Sequence, residues 1–108
     1  MYKIMIADDE PIVLDSLKTF PWSDHQCCVT CFAENGLNAL HTLESEKVDI
    51  LISDIRMPGM NGLEMCKKIR ETNNIPIIML SAKSTDLDKI LGLGTGAAVI
   101  FGATGGVM

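Results

Sequence analysis

The stretch VDILISDIRMPGMNGLE, residues 48–64, decides the fold. Its first part, VDILIS (48–53), is nearly all apolar. A continuous run of that kind suits a parallel strand covered on both faces. Asp54 follows directly, and DIRMPGMNG (54–62) reads as a loop marked by Pro58, Gly59 and Gly62. LEMCKKIRETNN (63–74) then reads as a helix, with Leu63, Cys66 and Ile69 facing inward. The unit is a strand, an acidic loop and a helix.

The same alternation extends in both directions. Upstream, YKIMIA (2–7) reads as a strand bounded by acids. Pro11 suits the first turn of a helix, and Asp9 or Glu10 would favour its positive end. Ile12 or Val13, Leu14, Leu17 and Phe20 recur at helical spacing until Pro21 stops the run. CCVTCFA (27–33) is a second strand and ENG a turn. LNALHTLESEK (37–47) places Leu37, Ala39, Leu40 and Leu43 along one side of a helix. Downstream, IPIIML (75–80) is a fourth strand. STDLDKILGLG (84–94) is a helix capped by Ser84 or Thr85, and AAVIF (97–101) a fifth strand. This β-α-β-α order predicts an α/β fold, a parallel sheet with helices on both faces. With no repeat, low-complexity segment or linker, the chain reads as one domain over 1–108.

Composition narrows the function classes. The 108 residues carry a formal net charge of −5. That balance argues against direct nucleic-acid binding and suits a cation binder. No apolar run reaches the roughly 18 residues of a membrane span. The start, MYKIMIADDE, turns acidic too soon for a signal peptide, so a cytoplasmic location is expected. Strand spacing puts Cys27, Val29 and Cys31 on one face. A zinc site would need further ligands from Cys66, His25 and His41 alone, so reduced, half-buried strand cysteines are the better reading.

A doubly wound sheet carries its site at the carboxyl ends of its strands. There the first strand ends in Asp8, Asp9 and Glu10, the third in Asp54 and the fourth in Ser81. Clustered carboxylates resist ionising unless a cation compensates them. A hard divalent ion such as magnesium does so through oxygen ligands. A carboxylate beside such an ion can attack phosphorus, and a nearby hydroxyl can bond a phosphoryl oxygen.

IADDEP, DILISDIRMPGMNGLE and IPIIMLSAK together resemble the receiver domain of two-component response regulators, over residues 1–97. The resemblance implies a flavodoxin-like, chemotaxis-receiver-like sheet of five parallel strands and five helices. It implies that Asp54 is the phosphoacceptor, and that Asp9, Asp54 and the backbone carbonyl of Arg56 bind magnesium directly. Asp8 would hold the metal through water, and Ser81 would be the switch hydroxyl. Arg56 and Lys83 stand where the family tunes the lifetime of the phosphoaspartate. The implied partner is a sensor histidine kinase, and the implied role is regulatory, not enzymatic. PIVLDSLKTFPW and DIRMPGMNGLE resemble receivers joined to AraC-type DNA-binding domains, whereas IPIIMLSAKSTDLDKILGLGTGA resembles those joined to winged-helix domains. Neither output domain lies within these residues.

The tail departs from the family over 98–108. The aromatic switch position falls on Ile100, the family's lysine on Ala103 and its proline on Thr104. Without lysine and aromatic, impaired switching is expected. GGVM makes a poor last helix, and a partly uncovered sheet face would favour a homodimer. Residues 96–108 also resemble a short segment of iron-only hydrogenases, but no cysteine follows Cys66 to ligate a cluster. A non-switching or chimeric receiver serving as an interaction module is one alternative. A magnesium-dependent aspartyl phosphatase is another, although Asp8-Asp9-Glu10 lacks the Asp-x-Asp such enzymes use. A flavodoxin-like cofactor binder would need a Ser/Thr/Gly phosphate loop where DDEP stands.

Overall fold

The structure is a computed structural model that describes residues 1–80 in full and the backbone of Ser81 and Ala98–Phe101. The expected helix over 84–94, Lys83 and the tail beyond 101 lie outside the described residues.

Strand β1 (Tyr2–Ala7) leads to helix α1 (Pro11–Lys18), a single 3-10 turn (Trp22–His25) and β2 (Cys27–Ala33). Helix α2 (Gly36–Ser45), β3 (Ile50–Asp54), α3 (Gly62–Arg70) and β4 (Ile77–Ser81) come next. β5 (Ala98–Phe101) pairs with β4 at the sheet edge. Every pairing is parallel, and the order is β2-β1-β3-β4-β5. The chain moves outward to β2 on one side of β1 and to β3 on the other, so the strand order reverses between β1 and β3. Ligands of doubly wound sheets bind beyond the carboxyl ends at such a reversal.

Alternation along the strands divides the core. Met5, Ala7, Leu51, Ile77 and Met79 pack on the face covered by Ala39 of α2 and by Leu63, Met65, Cys66 and Ile69 of α3. Ile4, Ile6 and Ile52 form the opposite face, against Leu14, Leu17 and Trp22. Burying such aliphatic side chains contributes about 1.5–3 kcal/mol each.

Several local expectations need correction. The β1–β2 register jumps from Ile4↔Val29 to Met5↔Cys31, leaving Thr30 as an extra residue. This bulge reverses the facing of the rest of β2. Cys27 and Val29 therefore pack on the α1 side and Cys31 on the opposite side. None of the four cysteines is joined in a disulfide. Ile12 is 79% and Phe20 46% exposed, so α1 presents only Leu14 and Leu17 as clear sheet contacts. Phe20 lies instead beside Trp22 and stacks on His25, with centroids 4.7 and 5.5 Å away. Leu37 is likewise exposed, because α2 begins at Gly36 and puts Gly36 and Ala39, not Leu37, on its buried side. Helix α3 stops at Arg70, short of 74. The Arg70 guanidinium donates to the carbonyls of Asn73 and Ile75, at 3.3 and 2.8 Å, and Asn73 Oδ1 accepts the Ile75 N–H at 3.0 Å. These bonds fold the chain back toward β4 in place of another helical turn.

Candidate functional site

The register sets Ala7 beside Ser53, so the next residues along each strand, Asp8 and Asp54, emerge together at the strand-order reversal. Asp8 is only 5% exposed. Its N–H donates to the Ala33 carbonyl at 2.9 Å, which ties the end of β1 to β2. Its Oδ1 accepts the Glu10 N–H at 2.9 Å and turns the chain into α1. Asp54 is half-buried, and its Oδ1 faces the Arg56 N–H at 3.4 Å. Carboxylate oxygens of Asp8, Asp9 and Asp54 all lie within 4.8 Å of one another. Among the described residues this is the one cluster of three or more such groups.

The loop after Asp54 is held by backbone contacts. The buried Ser53 hydroxyl donates to the Asp54 carbonyl at 2.8 Å. The Gly62 N–H closes the loop on the Ile55 carbonyl at 2.8 Å. A Cβ at residue 62 would stand 2.5 Å from the Asp54 carbonyl oxygen and 3.0 Å from Ile55 Cα. Only glycine allows α3 to start so close to the back of Asp54. Asn61 caps that helix, its Oδ1 accepting the Glu64 N–H at 2.9 Å.

Burial and mutual repulsion shape the cluster. Asp54 has its pKa raised to about 6, by burial first and by the Asp8 charge second, against the lowering effect of the Arg56 and Ile55 N–H groups. Burial also raises the Asp8 pKa, opposed by its bond to the Glu10 N–H and reinforced by Asp9. Crowded, partly desolvated oxygens of this kind fit a hard divalent cation.

Asp8, Asp9 and Asp54 thus come together as the sequence suggested. Glu10 does not join them; it is exposed, at the N-cap of α1. Arg56 lines, with Asp9 and Asn61, the cleft beside the cluster. Ser81 closes β4 one residue beyond Leu80, the register partner of Asp54. Ser53 escaped sequence reasoning because a serine inside an apolar run carries no signal of its own. Gly62 was legible only as a loop marker.

Residues 4–101 match the family described as response regulator receiver domain. The chain belongs to that family. The receiver match runs past residue 97 and takes in Ala98–Phe101, so β5 falls within it. The response regulator GtcR of Aneurinibacillus migulanus is 39% identical over 94 residues, 87% of this chain and 38% of that protein. The receiver therefore spans well under half of that relative's length. Among solved structures, the N-terminal domain of a response regulator receiver protein from Methanoculleus marisnigri is 27% identical with a TM-score of 0.82, over 96% of this chain and 86% of that one. RcsB from Salmonella enterica serovar Typhimurium, bound to a promoter in the presence of the phosphomimetic BeF3-, is 26% identical with a TM-score of 0.80, over 94% of this chain and 54% of that one.

Proposed function

We propose that this receiver takes a phosphoryl group on Asp54 from a phosphohistidine of a sensor histidine kinase, in a magnesium-dependent reaction. The observation that carries the reading is the meeting of Asp8, Asp9 and Asp54 at the strand-order reversal. An Asp54 carboxylate oxygen attacks phosphorus in line with the leaving imidazole. The P–N bond breaks, its electron pair stays on the imidazole nitrogen, and an acyl phosphate forms. Asp8, Asp9, Asp54 and the carbonyl of Arg56 would hold magnesium, which supplies charge compensation for the carboxylates and the phosphoryl oxygens. The raised Asp54 pKa supports the reading of a carboxylate that gains from that compensation. Ser81, at the end of β4, is the proposed switch hydroxyl.

The role is regulatory, within a transcriptional response regulator whose DNA-binding output lies outside these residues. The relatives support this, since RcsB was captured on a promoter. A cytoplasmic setting fits; among the described residues no helix is long and apolar enough to cross a membrane. Ile100, Ala103 and Thr104 stand where the family's aromatic, lysine and proline would be, so we propose phosphorylation with weak switching, and self-association into a homodimer. The tail's hydrogenase-like segment adds no chemistry to this reading, having no cysteine ligands.

Intact mass after incubation with acetyl phosphate and magnesium tests the chemistry. One phosphoryl group should be gained by the wild type and not by Asp54→Asn. Equal gain in both would remove Asp54 from its role. A full receiver-like NMR shift with beryllofluoride around residues 81–103 would refute weak switching.

A further inference from the structure

Gly36 opens α2 on the side of the sheet that carries the Asp54 loop, and it is buried. A Cβ there would lie 2.7 Å from the Met60 carbonyl oxygen and 3.1 Å from Met60 Cβ and Cγ. The first of these is a contact with backbone, which cannot swing aside as a flexible side chain does. The corner that presents Gly36 is itself fixed. Asn35 Oδ1 accepts the Asn38 N–H at 2.8 Å, and three residues before Gly36 the Ala33 carbonyl accepts the Asp8 N–H. Met60 belongs to the loop whose other end is Asp54, closed by the Gly62 N–H on Ile55. The chain of contacts therefore runs from Asp8, through Ala33 and Gly36, to Met60 and Asp54. It joins the two segments that supply the carboxylate cluster.

We infer that Gly36 is a positioning residue: its bare Cα lets the corner after β2 seat against Met60, and so sets how far the Asp54 loop stands from Asp8 and Asp9. The inference rests on the reading of Asp54 as phosphoacceptor and names what spaces that site. A side chain at 36 must displace Met60 by several tenths of an ångström. The displacement passes along a short, closed loop to Arg56 and Asp54.

The test compares the chain with Gly36→Ala in three measurements: backbone amide shifts of Arg56, Met60 and Gly62 without metal, the magnesium dissociation constant from NMR titration, and the acetyl phosphate labelling rate. Magnesium affinity and labelling should each fall about ten-fold, the labelling loss being short of the roughly 100-fold that a 1 Å misplacement can cost a rate. The three amides should move, and the melting temperature should fall only modestly, because alanine's better fit to the first turn of α2 offsets part of the overpacking cost. A purely structural role would move the melting temperature alone, and wild-type affinity and rate would overturn the inference. If Gly36→Ala fails to fold, Met60→Gly loosens the same contact from the loop side. Slower labelling and weaker magnesium binding there support the inference, and unchanged values overturn it. If the wild type takes no phosphoryl group, the phosphoacceptor reading fails, while the amide shifts and the magnesium titration still decide the role of Gly36.

Discussion

On the α2–α3 side of the sheet, Met5, Leu51, Met65 and Met79 are wholly shut off from solvent, whereas on the α1 side Ile4, Ile6 and Ile52 are the buried residues among those described. No residue of α1 itself is fully buried. The contrast tells how the site is built. Asp54, its loop and the Gly36 corner rest on the tightly packed side. Asp9 is exposed and leads into α1, the more loosely held helix. One half of the carboxylate cluster is thus anchored in a dense core, while the other sits on a segment with room to adjust to an incoming cation. Dense packing transmits small displacements, which is why contacts at Gly62 and Gly36 matter for Asp54.

The strongest challenge to this contrast is a matched pair of truncations. Leu51→Ala should cost about 2–5 kcal/mol, since it leaves a cavity in a core that cannot relax freely. Leu14→Ala, half-buried on α1, should cost only about 1 kcal/mol. Denaturant unfolding at neutral pH measures both. Equal losses would mean that the two faces carry similar packing energy.

Acidity gives a second, smaller test. Asp54 has a folded pKa of about 6 against a reference of 3.8, so the folded protein binds the proton more tightly than the unfolded chain. Its contribution therefore favours folding at low pH and falls as pH rises from about 4 to about 6, then levels off. The half-exposed setting moderates the size, because solvent screens part of the effect. The difference in stability between wild type and Asp54→Asn, measured across this range by urea titration, reads that contribution together with its repulsion from Asp8 and Asp9. Asp54→Asn should gain on the wild type as pH rises. Millimolar magnesium should shrink the gain, because the cation stabilises the ionised cluster only where Asp54 is present. A flat difference across the range would mean that Asp54 ionises in the fold as freely as in the unfolded chain.

Much of this architecture was legible from apolar runs. The limits of β1 and β2 match the stretches 2–7 and 27–33, and Leu63, Cys66 and Ile69 face the core as their spacing implied. The three aspartates could be brought together on paper because parallel strands end at one edge. Two of the misreadings, at β2 and at Gly36, depended on contacts remote in sequence. Thr30 gives no local sign of a bulge, yet that extra residue sends Cys31 to the other face from Val29. Phe20 fits the helical period, but α1 ends before it, and its exposed ring lies against Trp22, which itself packs on the core. Gly36 reads as a turn residue, and its close approach to Met60 emerges only once two loops are side by side. Ser53 is hidden for a different reason: a serine inside an apolar strand gives no sign that its hydroxyl bonds the neighbouring Asp54 carbonyl.

The smallest expected effect sharpens the contrast at the helix starts. Asn61 caps α3 through its side chain, whereas Glu10 occupies the corresponding position of α1 with no side-chain cap bond. Asn61→Ala should cost about 1 kcal/mol, the usual worth of a lost cap. Glu10→Ala should leave stability within about 0.5 kcal/mol, since the Glu10 N–H bonded to Asp8 belongs to the backbone and survives the change. Amide hydrogen exchange separates the two beyond their totals. In Asn61→Ala the Glu64 N–H loses its acceptor and should exchange faster, while the opening of α1 keeps its wild-type rate. If Glu10→Ala instead frees the start of α1 and weakens magnesium binding, the glutamate side chain holds Asp9 in place by a route other than capping. The adjustable half of the cluster would then be as firmly placed as the half that carries Asp54.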